Sequence, residues 1–319
     1  MQLIRDSIDF SKYNQPPPES ANVKPASQWC DAVIDRLYGQ SKSPETLLPW
    51  SKTHPHIALR SGEVSIWAGI NGHGKSILVS HVMLATLAQN ERVLIASMEM
   101  KPEATMARMA RQAARCREPS IAFIKQFHAW TDEKLWLYDQ QGTVKSDRIL
   151  AVGRYAAEEL HIKHFVIDSL MKCGIGVDDY NRQKVFIDQL CAFAKDTGVH
   201  VHLVAHSRKG ESEKAGLDKF DIKGASEISD QVDNVFLVWR NKRKEDALAT
   251  TPGDAEATKW PDALLTCAKQ RHGEWEGRIN LWFHRDSFQF SGDSRCLPID
   301  HVDGDAAEAR AERIAIMSS

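Results

Sequence analysis

From residue 60 onward, short apolar runs alternate with amphipathic stretches, and the alternation sets the expected order of elements. "EVSIWAGI" (63–70), "RVLIASME" (92–99), "KHFVIDSL" (163–170) and "VHVHLVAHS" (199–207) are runs of strand length, rich in β-branched residues. Between them, "KSILVSHVMLATLAQN", "KPEATMARMARQAAR" and "RQKVFIDQLCAFAKDTG" space their apolar residues as helices do, with Pro102 near the first turn of the second. "DNVFLVWRN" and "ALLTCAKQR" add two strands, and "GRINLWFHRDSFQF" reads as a closing hairpin. This order predicts an α/β fold: a mostly parallel central sheet flanked by helices, ending in a C-terminal β-hairpin.

The flanks follow other patterns. Residues 1–26 carry a Pro-, Ser- and Asn-rich tract with a "QPPP" run and read as an extended arm. "SQWCDAVIDRLYG" (27–39) has helical spacing, with Trp29, Val33, Ile34 and Leu37 on one stripe, Ser27 as cap and Gly39 as stop. A polar stretch isolates this helix, so it packs either on its own domain or on another subunit. The expected divisions are therefore an arm (1–26), a linker helix and loop (27–59), the α/β domain (60–292) and a C-terminal tail (293–319) holding the short helical stretch "AAEARAERIAIM". Residues 120–150 are more polar and helical and read as an insertion or subdomain edge.

Composition narrows the function classes. The 319 residues are 42% hydrophobic and carry a net charge of −2, so any nucleic-acid contact must come from a local basic surface. No stretch has signal-peptide or membrane-spanning character, which predicts a cytoplasmic protein without membrane contact. The six cysteines are scattered without a CxxC pair, arguing against a zinc site or a disulfide framework.

The chemistry begins at "GINGHGKS" (69–76). The spacing Gly69-x4-Gly74-Lys75-Ser76 between a strand and a helix is that of a phosphate-binding loop. Backbone N–H groups of Gly69, Asn71, Gly72, His73 and Gly74 can curl around a β-phosphate, with Ile77 in the first turn behind them. The helix end aims positive charge there, Lys75 reaches the β- and γ-phosphates, and the Ser76 hydroxyl ligates Mg2+. ATP, or another NTP or dNTP, is the expected ligand. Asp168, at the end of "HFVID", stands where a second magnesium-shell group belongs. Glu99, at the end of "VLIASME", can polarise water next to the phosphate loop or simply favour the dipole of the following helix.

"SMEM", "FVIDSL", "HLVAHSRKG", "FDIKGASEISDQVDNVFLVWR" and "AKQRHGEWEGRINLWF" follow one another in this order. The set resembles the RecA-like motor domain of DnaB-family replicative helicases, on the phage primase–helicase and Twinkle branch, over about residues 60–290. The resemblance implies a RecA-like P-loop core in which Glu99 activates water, Asp168 orders the magnesium shell and His206 senses the γ-phosphate. It implies that Lys269 and Arg271, two apart on one strand face, reach the nucleotide of the neighbouring subunit.

The same resemblance places single-stranded DNA against Lys223, Gly224 and Ser226, with Arg208 and Lys209 in the same basic stretch and a second loop at "KCGIGVDDYNRQK". Four acids are interspersed up to Asp221, so charge alone does not demand DNA. Arg240 and Phe283 match positions that sandwich the base, with Trp282 as the alternative and core packing open for either aromatic. The implied assembly is a hexameric ring moving 5′ to 3′, with a separate primase or polymerase as partner. The chain shows neither a primase domain nor a helical collar before the motor. A recombination ATPase or a nucleotide-binding loader are the other classes this core serves.

Overall fold

The apolar runs pair as one sheet in the computed structural model, which describes residues 8–14, 25–38, 45–175, 179–207 and 225–302. Ahead of that sheet, β1 (Thr46–Leu47) and β2 (Ala58–Leu59) form a small antiparallel pair. The main strands are β3 (Val64–Gly69), β4 (Val93–Ser97), β5 (Leu135–Leu137), β6 (His164–Asp168), β7 (His200–His206), β8 (Asn234–Arg240), β9 (Ala263–Gln270), β10 (Gly277–His284) and β11 (Gln289–Ser291). Among the described residues they lie in the order β11-β10-β9-β8-β3-β7-β6-β4-β5. β3 to β8 run parallel to one another, whereas β9, β10 and β11 are antiparallel. The carboxyl ends of β3, β4, β6, β7 and β8 therefore share one edge, the place where open α/β sheets bind ligands.

The strands are apolar throughout because both faces are covered, as a parallel sheet requires. On one face Ile66, Phe165, Val201 and Leu203 pack under α5 (Ser146–Glu159), α6 (Tyr180–Thr197) and α7 (Ala225–Gln231). On the other, Trp67, Val166, Val204 and Phe236 pack under α2 (Lys75–Ala88), α3 (Pro102–Ala114) and α4 (Ile121–Thr131). This second face also buries three histidines. His164 Nδ1 lies 3.0 Å from His202 Nε2, Trp67 donates to His202, and Ser65 pairs with His200. Burial pushes all three imidazoles down, to about 4 for His200, so they pack as neutral rings. Two short helices, α8 (Lys242–Thr250) and α9 (Ala255–Lys259), connect β8 to β9.

Three divisions differ from the sequence reading. Residues 120–150 form α4 and the edge strand β5, which pairs with β4 and widens the sheet. Within the expected arm, Phe10–Asn14 forms a 3-10 turn docked on α5. Phe10 and Tyr13 are buried against Tyr155, and the Tyr13 hydroxyl donates to Glu159 at 2.9 Å. Two aromatics supply more burial than the polar composition of the tract suggests. At the other end, the domain runs past residue 292. The Ile299 backbone exchanges hydrogen bonds with the Gln289 side chain, Asp300 pairs with Arg115 at 2.8 Å, and His301 meets the buried His81 at 3.1 Å.

The linker helix is present as α1 (Cys30–Tyr38), with Val33, Ile34 and Tyr38 exposed. The tail helix expected at 306–317 lies outside the described residues. No helix among the described residues is long and apolar enough to cross a membrane.

Candidate active site

β3 ends at Gly69 and hands the chain to α2 through the phosphate loop. Two glycines there are dictated by geometry. A Cβ on Gly69 would fall 2.4 Å from the Val238 carbonyl oxygen of β8, and Gly74 holds φ +83° immediately before the helix. His73 is buried, and its Nδ1 accepts the Arg240 backbone N–H at 3.2 Å, tying the loop to the end of β8. Asn71 and Gly72 are exposed, and Ser76 and Ile77 are half-buried in the first turn of α2.

Lys75 is buried, and its ammonium donates to the Gly69 and Ile70 carbonyls at 3.0 and 3.1 Å. It lies 3.3 Å from His206 Nδ1, since Gly69 and His206 are register partners on β3 and β7. Burial pushes the Lys75 ammonium down to about 8, against the opposing charges of Asp168 and Glu99. Asp168, at the end of β6, is raised by burial, and Ser76, Arg108 and Lys75 act against that rise.

The Ser76 hydroxyl and the Asp168 carboxylate are the hard oxygens that Mg2+ prefers, and a desolvated carboxylate gains from a cation beside it. The described residues contain no cluster of three metal-ligating side chains, and a magnesium ion shared with phosphates needs none. The pair therefore fits the ion.

Glu99 comes from farther away than the sequence suggests. β7 and β6 stand between β3 and β4, so Glu99 is not on a strand beside the phosphate loop. It reaches the site from just beyond β4, where Ser169 donates to its carboxylate at 2.8 Å and His206 Nε2 lies 3.8 Å away. Sequence reasoning missed Ser169 and Arg108. Only the position of Ser169 next to Asp168 could have flagged it, whereas Arg108 looked like any cation on an amphipathic helix.

Beside the loop lies a cavity of about 400 Å³. Arg240 and Phe283 both line it, together with Arg111, Arg117, Arg285 and Phe288, none of which the sequence singled out. The Phe283 ring lies parallel to Phe288 at 6.1 Å, and the Arg111 guanidinium sits 3.8 Å from the Phe288 centroid. Trp282 is not among the lining residues: strand alternation turns it the other way, under the Lys52 ammonium.

Lys269 and Arg271 lie at the opposite end of the sheet. β9 is antiparallel to β8, so its last residues pair with Asn234 and Val235, where β8 begins. Both cations turn to the same segment after α7: Lys269 donates to the carbonyls of Ser229, Asp230 and Val232, and Arg271 to those of Asp230 and Gln231. Arg208, Lys209, Lys223 and Gly224 lie outside the described residues, and Ser226 belongs to α7.

A family model described as an AAA domain matches residues 49–212, which contain the phosphate loop, Glu99, Asp168 and His206. The chain belongs to this AAA domain family. Its motor fold is that of DnaB-like helicases. A solved helicase ATPase domain superimposes with a TM-score of 0.68 at 13% identity, over 85% of this chain and 99% of that one. A DnaB-like replicative helicase, solved to study its interactions with primase, gives 0.64 at 13% identity, over 84% and 67%. As an AAA-family member with a complete phosphate loop, the chain is a nucleotide-binding ATPase domain with a RecA-like core.

Proposed function

We propose that the chain is an ATP-driven motor that moves along single-stranded DNA as a ring of identical subunits, a replicative helicase with its nucleotides at subunit boundaries. The observation that carries this reading is that Lys75, Glu99, Asp168 and His206 converge at one end of the sheet while Arg271 projects at the other. A strand of this length spans roughly 20–25 Å. Arg271 is thus out of reach of its own phosphate loop, and the nucleotide it suits is a neighbour's.

The reaction then divides among residues of this chain. The loop N–H groups and the amino end of α2 hold the phosphates, and Lys75 balances their charge. Glu99, steadied by Ser169, takes the proton of the attacking water. Magnesium held by Ser76 and Asp168 would neutralise charge on the phosphates. The neighbour's Lys269 and Arg271 supply the cationic edge for the transition state. His206 sits between Lys75 and Glu99 and passes the state of the γ-phosphate into the segment after β7. There Arg208, Lys209, Lys223, Gly224 and Ser226 hold DNA phosphates. Arg240 and Phe283 bracket the base of ATP or of another NTP or dNTP.

The exposed Val33 and Ile34 on α1 suit a helix that seats on the adjoining subunit. A hexamer, 5′ to 3′ movement and a separate primase or polymerase complete the reading by likeness to the DnaB group. The test is strand displacement on forks with 5′ or 3′ tails, with particle mass measured with and without ATP. Unwinding of the 5′-tailed fork by a nucleotide-dependent oligomer is expected. A monomer that hydrolyses ATP and opens neither fork overturns the proposal.

A further inference from the structure

Arg271 is held by its own chain in a specific way. Its guanidinium lies 3.2 Å from one carboxylate oxygen of Asp233 and donates to the carbonyls of Asp230 and Gln231 at 3.1 and 2.9 Å. Its backbone N–H donates to the Asp233 carbonyl at 2.8 Å. Asp233 is 3% exposed. Its second carboxylate oxygen accepts the Val64 N–H at 2.9 Å, and its own N–H donates to the Val64 carbonyl at 3.0 Å. Val64 opens β3, the strand whose far end becomes the phosphate loop.

Lys269, two residues earlier, is engaged differently. An ammonium has three N–H donors, and three carbonyls take them at 2.8, 2.9 and 2.9 Å. A lysine in this place satisfies the open carbonyls at the end of α7 and suits the negative pole of the helix. Arg271 has five donors in a rigid fork, and its side chain is 36% exposed. Burying a carboxylate to hold a partly exposed arginine is a poor device for stability alone, because desolvation offsets the attraction. It is a good device for aiming a guanidinium.

We infer that Asp233 is a positioning residue for Arg271. It fixes the direction in which the guanidinium leaves the sheet and anchors it to the first residue of β3, while Lys269 clamps the helix end that forms the other wall of the cradle. The inference rests on the proposed reading that Arg271 acts on a neighbouring subunit's nucleotide.

The test uses full-length protein and DNA-stimulated ATPase activity in subunit mixtures. Asp233→Asn keeps an oxygen for the Val64 N–H and gives up the charge facing Arg271. We expect kcat to fall by on the order of tenfold or more, with KM for ATP and nucleotide binding unchanged. Mixed with Lys75→Ala, which brings an intact Arg271, the Asp233→Asn protein regains activity; mixed with Arg271→Ala it does not. A purely structural role would not produce this asymmetry. Unchanged kcat, loss of nucleotide binding, or no rescue by Lys75→Ala overturns the assignment. The pair Arg271→Ala with Lys75→Ala is the control: if that pair fails to rescue, the shared-site reading itself is wrong, and if it alone succeeds, only the role of Asp233 is.

Discussion

The Lys75 ammonium lies 3.3 Å from Nδ1 of His206, inside a loop that has already desolvated it. Burial brings this lysine down to about 8 from 10.5, so near pH 8 it is only half protonated. Phosphates favour the charged form and raise that value again. The sign follows: below pH 8 the proton is present before binding and affinity is full, while above pH 8 binding must recruit a proton and affinity falls. Titration calorimetry of ATP at pH 8.5, in buffers of different ionisation enthalpy, should register proton uptake. The same experiment at pH 6.5 should register almost none from this group. Equal uptake at both values would remove Lys75 as its source.

Glu99→Gln should bind ATP and fail to turn it over, with kcat down by about a hundredfold or more. Ser169→Ala should cost less, about fivefold to tenfold, because its hydroxyl only orients the carboxylate. Steady-state kinetics with a nucleotide-binding control separate the two. Comparable activity in Glu99→Gln and the parent protein would end the assignment of Glu99.

The two neighbouring aromatics of β10 face opposite ways, which predicts opposite kinetics. Phe283→Ala should raise KM for ATP by on the order of tenfold, the worth of an aromatic contact with the base. Trp282→Ala should leave KM close to the parent value. Measuring both in parallel decides which ring meets the nucleotide.

A chain ending at residue 292 should melt lower than one ending at residue 302. The shorter chain loses the Ile299–Gln289 exchange, the Asp300–Arg115 pair and the burial of His301 and Val302. Together these are worth roughly 2–4 kcal/mol. Chemical denaturation of the two forms checks this, and coincident curves would return the domain boundary to 292.

The phosphate loop was legible because its chemistry is local: eight neighbouring residues, a strand before and a helix behind. Asp168 was nearly as legible, since a strand end is marked by the apolar run that precedes it. Glu99 was legible as a residue but misplaced, because nothing in "VLIASMEM" says that two strands separate it from β3. Ser169 and Arg108 carried no pattern of their own. The cavity was half legible: Arg240 and Phe283 came from resemblance, while Arg111, Arg117, Arg285 and Phe288 meet there from separate stretches of chain. The docking of Phe10 and Tyr13 on α5 was hidden by the polar composition around them.

The amino-acid sequence by itself determined the succession of strands and helices, the buried parallel sheet and the phosphate loop, because periodicity and turn chemistry act over a few residues. Strand order, the meeting of Glu99 with His206 and Ser169, and the cradle that Asp233 builds for Arg271 were decided only by the tertiary structure. Those contacts join residues far apart in the chain, and they are settled by which crossovers bury both faces of the sheet and satisfy its buried polar groups.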